Sequence, residues 1–183
     1  MTEQNDIAIA ADFLRQGELV VHATEGVWGI SCDPNNQSAV QRVINLKGRD
    51  AAKGLLLIGA SADMFERELA DHTPELAAAV KASWPGPHTW VLPNHIYTNL
   101  VTGGRDTIAC RVPGHAQARD LSAAFGGPLV STSANFSGQP AITSQDDARA
   151  TFADQVSMVL SGAVLRPGQA STIYGLGGEV LRG

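Results

Sequence analysis

Lys47, Arg49 and Lys53 crowd onto one short loop, Leu46-Lys47-Gly48-Arg49-Asp50-Ala51-Ala52-Lys53-Gly54, directly before the apolar run Leu55-Leu56-Leu57-Ile58. Arginine offers a planar fork and lysine a point charge, so together they suit a phosphate or a carboxylate. Gly48 and Gly54 leave backbone N–H groups open to an anion. A solvated basic turn between a helix and a strand has the same composition. Further along, Ser131-Thr132-Ser133-Ala134-Asn135-Phe136-Ser137-Gly138 brings hydroxyls and an amide together. Such a run favours a ligand loop over a helix. Arg111 is a lone charge in the apolar segment Thr107 to Pro113. It suits a ligand carboxylate, or equally a buried carboxylate of the protein itself. Lys47, at a helix end, is expected to have an exposed stem, so that its removal would cost little stability.

The elements that must position these groups alternate along the chain. Asp6 to Gln16 reads as a helix with Ile7, Ala10, Ala11 and Leu14 on one face and Gly17 as its stop. Leu19 to Ala23 is a buried strand that delivers the polar turn Thr24-Glu25-Gly26-Val27-Trp28-Gly29. Asn36 or Ser38 caps a helix that ends at the basic loop, and Leu55 to Ile58 returns as a strand. Ser61 to Leu69 is a short helix. Thr73-Pro74 opens another, with proline at the first position, and Trp84-Pro85-Gly86-Pro87 stops it. His88 to Leu92 alternates like a strand, Gly103 to Asp106 turns, and Thr107 to Pro113 is a strand. A helix from His115 to Phe125 precedes the strand that starts at Leu129. Ser144 caps a last helix to about Ala153. Val156 to Leu160, Ser171 to Tyr174 and Glu179 to Arg182 read as strands, with Gly162 to Gly168 as loop. The interleaving predicts a layered α/β sandwich around one sheet. Connections too short for helical crossovers predict a mixed sheet.

Composition limits the alternatives. At 183 residues the chain suits one domain, residues 1–183, with a proper core. Its 44% hydrophobic and 17% charged residues exclude a disordered chain. The net charge of -5 argues against gripping nucleic acid with the whole surface, while leaving room for a local basic cleft. No apolar run is long enough for a membrane span, and the start, Met1 to Asp6, has no signal-like core, so the expected location is cytoplasmic. Cys32 and Cys110 are expected to be reduced and buried. No Walker loop or G-x-S-x-G elbow is present, and the histidines lack zinc spacing, so no metal site is expected. Trp84 and Trp90 are expected in the core.

The motifs Thr24 to Gly29, Lys47-Gly48-Arg49 with Lys53, Trp84 to Thr89, Arg111-Val112-Pro113, Ser131 to Gly138 and Ser171-Thr172-Ile173 occur in one order. In that order the chain resembles the YrdC-like threonylcarbamoyl-AMP synthases, in their short bacterial form. The resemblance runs from about Ile7 to the end. It implies an α+β fold of three-layer sandwich type, a twisted mixed sheet flanked by helices with a concave basic face. It implies a nucleotidyltransferase that condenses L-threonine, bicarbonate and ATP into threonylcarbamoyl-adenylate and pyrophosphate. The product would serve modification of the adenosine beside the anticodon, through downstream tRNA threonylcarbamoyl transferase machinery and with tRNA itself as a further partner.

By that resemblance Lys47, Arg49, Ser133 and Asn135 are the catalytic set. Lys47, Arg49, Lys53, Thr107, Asn135, Thr143 and Arg182 hold ATP and its phosphates, and Thr24, Arg111, Ser133 and Ser171 hold threonine. ATP enters as a substrate, with Mg²⁺ beside it and no tightly bound cofactor. The sequence departs from the family pattern at Trp28 (commonly tyrosine), His88 (usually aliphatic) and Gly54 (often proline). Two other readings share these features: a non-catalytic module that binds tRNA or double-stranded RNA, and a carbamoyl-adenylate-forming relative with another substrate.

Overall fold

The computed structural model describes residues 3–182, so Met1, Thr2 and Gly183 lie outside the described residues. Helix α1 is Glu3–Arg15, followed by strands β1, Val20–Ala23, and β2, Trp28–Cys32. Helix α2, Gln37–Lys47, starts at the Asn36 cap, whose Oδ1 accepts from Ala39 N at 3.0 Å. It ends at Gly48, whose left-handed φ of 58° suits glycine. Strand β3, Leu56–Ile58, follows, then helices α3, Glu66–Leu69, and α4, Pro74–Ser83. Strand β4, His88–Pro93, helix α5, Asn99–Thr102, and strand β5, Thr107–Arg111, come next. Helix α6, Ala116–Phe125, strand β6, Leu129–Ser133, and helix α7, Gln145–Phe152, precede the closing strands β7, Met158–Val159, β8, Thr172–Tyr174, and β9, Val180–Arg182.

The strands form one sheet in the order β7-β1-β2-β6-β3-β5-β4-β8-β9. The pairs β1/β7, β3/β5 and β4/β8 are parallel and the others antiparallel, so the sheet is mixed, as predicted. The helix expected over Ser61 to Leu69 is a 3₁₀ turn, Ala62–Phe65, running into α3, and two further features differ from expectation. Trp28 and Gly29, expected in a polar turn, instead begin strand β2. All five of its residues are buried, and Trp28, Ile30 and Cys32 alternate with the small Gly29 and Ser31, but Gly26 and Gly29 around its start read as turn residues. The short helix α5 was also unforeseen. It has no side-chain cap and ends at Gly103 with φ 69°.

The register explains where the site lies. On one face, α2, α5, α7 and the loops around them cover a large core that includes Trp28, Ile30, Leu57, Trp90, Cys110 and Val130. On the other face, α1 and α6 pack together over Val20, Ile58 and Leu129. That cover stops partway. Pairings His22↔Gly29, Gly29↔Ser133, Leu56↔Ser131, Leu56↔Ala109, Ile58↔Arg111 and Thr89↔Ile173 put these residues on the same face as Val20 and Leu129. Beyond the helices, this part of the sheet is the floor of an open cleft. Cys32 and Cys110 are both unpaired and buried, and Trp84 and Trp90 are in the core, as predicted.

Candidate functional site

The cleft holds about 560 Å³, inside the range of sites that enclose small ligands. Thr24, Arg49, Lys53, Arg111, Ser133, Ser171 and Arg182 all line it, although they come from widely separated parts of the chain. Among the described residues, no Asp or Glu lines it. The cleft is therefore locally basic in a chain of net charge -5.

All of these side chains except Lys53 are hydrogen-bonded to neighbours. Thr24 Oγ1 donates to Val27 O at 2.7 Å, tightening the turn after β1. Arg49 donates through Nε and Nη2 to Gly54 O, at 3.2 and 2.9 Å. This closes the basic loop on itself and leaves Nη1 for a ligand. Lys53 is exposed at the rim. Ser171 Oγ shares a hydrogen bond of 2.9 Å with Thr89 Oγ1. Arg182 Nη2 donates to Ser171 O at 3.3 Å, so the last strand is tied to the same corner. Arg111 takes the second of its two expected roles, as the partner of a buried carboxylate of the protein itself. Its Nη2 is ion-paired with the buried Glu25 carboxylate, and its Nε donates to Gly86 O at 3.1 Å. Three of its five N–H groups remain for the cleft.

Lys47 departs from the expectation of an exposed stem. It is 3% exposed, and its ammonium lies behind the cleft wall. Nζ donates to Ser133 O, to Asn135 O at 2.8 Å and to Asn135 Oδ1 at 2.9 Å. Ser137 N in turn donates to Lys47 O at 2.7 Å. Asn135 Oδ1 also accepts from Ser133 Oγ at 2.7 Å, and Asn135 Nδ2 donates to Gln139 O at 2.6 Å. Lys47 thus latches the hydroxyl-rich loop to the end of α2. Burial, helped by the nearby Arg49 charge, lowers its pKa to about 8.

The remaining predicted positions are not brought into the cleft. Asn135 is behind it with Lys47. Thr107 lies on the same sheet face as Arg111, two pairs along β5, but outside the lining. Thr143 is exposed beside the Ser144 cap of α7.

The structure adds residues that were not predicted as site residues. Thr89 and the segment Gly168-Gln169-Ala170 line the cleft, and Glu25 anchors Arg111. Glu25 and Thr89 stand inside the quoted motifs, but only their register shows what they face. Of the sequence departures, His88 Nδ1 lies 3.3 Å from Tyr174 Oη, and Trp28 is fully buried, so its ring faces the core and not the cleft.

Beneath Gly29 lies a buried polar pair. His22 Nδ1 donates to Ala23 O at 3.0 Å, because a carbonyl only accepts. In the neutral ring Nε2 is then an acceptor, and Ser31 Oγ donates to it at 2.8 Å. Burial holds the ring neutral by lowering its pKa to about 4.

The family model described as "Telomere recombination", which joins Sua5, YciO and YrdC, matches residues 12–182. The chain belongs to the Sua5/YciO/YrdC family. The resemblance carried by its motifs is borne out. It is 45% identical over 178 residues to a threonylcarbamoyl-AMP synthase of Chromohalobacter salexigens, covering 96% of each chain. It is 47% identical over 154 residues to one of Halorhodospira halophila, covering 84% of this chain and 81% of that one. Among solved structures, P. abyssi Sua5 complexed with L-threonine is 37% identical with a TM-score of 0.87. That match covers 96% of this chain and 52% of the other, so the chain spans about half of that protein's length. E. coli YciO, 22% identical with a TM-score of 0.85, shares the fold. The mixed sheet with flanking helices is thus the fold of this Sua5/YciO/YrdC family, as predicted.

Proposed function

We propose that the protein is a threonylcarbamoyl-AMP synthase acting on L-threonine, bicarbonate and ATP. The observation that carries this reading is the convergence of Arg49, Lys53, Arg111 and Arg182 with Thr24, Ser133 and Ser171 on one cleft that no Asp or Glu of the described residues lines. A polyphosphate beside a zwitterion needs such a set. Relatives that cover nearly the whole chain carry that enzyme's name.

The chemistry asks for placement and charge neutralisation more than for a covalent nucleophile. The threonine nitrogen, once deprotonated, attacks the carbon of bicarbonate, and water leaves to give the carbamate. A carbamate oxygen then attacks the α-phosphorus, and pyrophosphate leaves. Arg49, Lys53 and Arg182 neutralise the phosphates. The remaining N–H groups of Arg111 take the threonine carboxylate, with Thr24 and Ser171 beside it. Ser133 orients the carbamoyl group from a loop whose shape Lys47 and Asn135 fix. All three N–H groups of Lys47 are engaged, so it reaches a phosphate only by exchanging one of these partners. No Asp or Glu among the described residues lines the cleft to cage a metal, so Mg²⁺ arriving with ATP would keep phosphate and water ligands. The product would pass to the tRNA modification machinery.

The test is mass spectrometry of a mixture of the protein, ATP, threonine and ¹³C-bicarbonate. The expected product is threonylcarbamoyl-adenylate with the label in its carbamoyl carbon. ATP consumption without a labelled adduct would refute the reading.

A further inference from the structure

Glu25 touches both walls of the cleft, one with its side chain and one with its main chain. Its Oε1 pairs with Arg111 Nη2 and accepts from Gly114 N at 2.5 Å. The two side chains of the ion pair are only 10% and 12% exposed. Its other oxygen, Oε2, is buried and has no partner among the described residues. All of the carboxylate's bonding is therefore directed at one edge, where it fixes the position of Arg111.

The carbonyl of Glu25 faces another segment. It accepts from Leu165 N at 2.9 Å and from Arg166 N at 2.6 Å, and the next carbonyl, Gly26 O, accepts from Gly168 N at 2.9 Å. These bonds tie down the exposed strap of residues 162–170, whose far end, Gly168 to Ala170, lines the cleft. The strap lies so close that a Cβ on Gly26 would collide with the Gln169 carbonyl. Glycine at 26 is required for that approach, whatever its backbone angles.

We propose that Glu25 is a positioning residue that couples the amino-acid anchor Arg111 to closure of the 162–170 strap. The inference rests on the reading of Arg111 as the threonine anchor. Arg111 held by the ligand steadies Glu25, and a steady Glu25 keeps its two acceptor bonds to the strap. The coupling is reciprocal: whatever opens the strap weakens threonine binding by the same factor that threonine closes it. Without the carboxylate charge, Arg111 is left as a buried cation without its counter-ion, and its placement is lost.

Two full-length variants separate the two walls. Glu25→Gln keeps an acceptor for Gly114 N but removes the charge that fixes Arg111. Gly26→Ala leaves Arg111 alone and pushes the strap away. Calorimetric titration with threonine and with ATP, together with hydrogen exchange of the strap amides, reads both. Threonine is expected to slow exchange at Leu165, Arg166 and Gly168 in the unaltered protein. Glu25→Gln should weaken threonine at least about tenfold, as expected for a lost bond between charged partners. ATP affinity should stay within about twofold, and saturating threonine should no longer protect the strap. Gly26→Ala should also weaken threonine with ATP unchanged.

Unchanged or tighter threonine binding by Glu25→Gln, or a strap indifferent to threonine in the unaltered protein, would overturn the coupling while leaving the threonine reading intact. So would equal losses for threonine and ATP. Failure of the unaltered protein to bind threonine would overturn that reading and this inference with it. Should Glu25→Gln not fold, Gly26→Ala decides alone, and threonine affinity equal to the unaltered protein's would overturn the proposal.

Discussion

Lys47 ties the fold to the proposed chemistry, and the two are expected to depend on pH in opposite directions. Its folded pKa, about 8, is below the ordinary lysine value of 10.5. Between those values the unfolded chain holds a proton that the folded one has released. Stability from this group therefore rises as pH climbs through that window and is lost as pH falls through about 8. Under the proposed function activity should fall over the same rise, because the charge that holds Ser133 and Asn135 disappears. Denaturant unfolding and product formation, measured from pH 7 to 10.5 on the protein and on Lys47→Met, check both trends. Lys47→Met should lose roughly 1–3 kcal/mol of stability near pH 7, because buried acceptors of the 133–135 loop lose their donor. It should also lack the rise above pH 8. Parallel pH profiles for the two proteins would show that Lys47 does not titrate there. Arg111→Lys is expected to lose most threonine-dependent activity, since an ammonium cannot serve Glu25, Gly86 and a carboxylate at once. Retained activity with an unchanged threonine KM would make Arg111 peripheral. The sequence named both residues, and for Arg111 the option of a buried carboxylate, but not what surrounds Lys47. Lys47 meets a loop 86 residues away, and adjacency to Gly48 at a helix end gave no sign of it.

At the scale of elements, the helix caps and most strands were legible because their signals are local. Asn36, Thr73 and Ser144 cap helices, as their types suggested. Strand β2 was not legible, because Gly26 and Gly29 around its start read as turn residues and hid the alternation of Trp28, Ile30 and Cys32. Yet β2 decides the site: it lies between β1 and β6 and places Gly29 over His22. The His22–Ser31 bond inside this strand pair makes an acid-sensitive contact. The folded pKa of His22, about 4, is below its ordinary 6.5, so its contribution is present above pH 6.5 and lost as pH falls toward 4. His22→Gln, which cannot titrate, should flatten the stability profile in that window, as measured by denaturant unfolding at several pH values. An unaltered slope would mean that the ring is not held neutral.

Over the whole molecule, function follows from cover that stops short. Helices α1 and α6 cover only part of one sheet face, and the uncovered part carries basic and hydroxyl side chains at the ends of β3, β5, β6 and β8. The motif order pointed to that set of residues. Their convergence needed the strand order, which no single stretch of sequence contains. The most direct test of the central claim is pyrophosphate release from ATP with threonine and bicarbonate supplied together, each alone, and with serine in place of threonine. Release that requires both threonine and bicarbonate, and is weak with serine, is the predicted result. Equal release with serine, or with no amino acid at all, would contradict it.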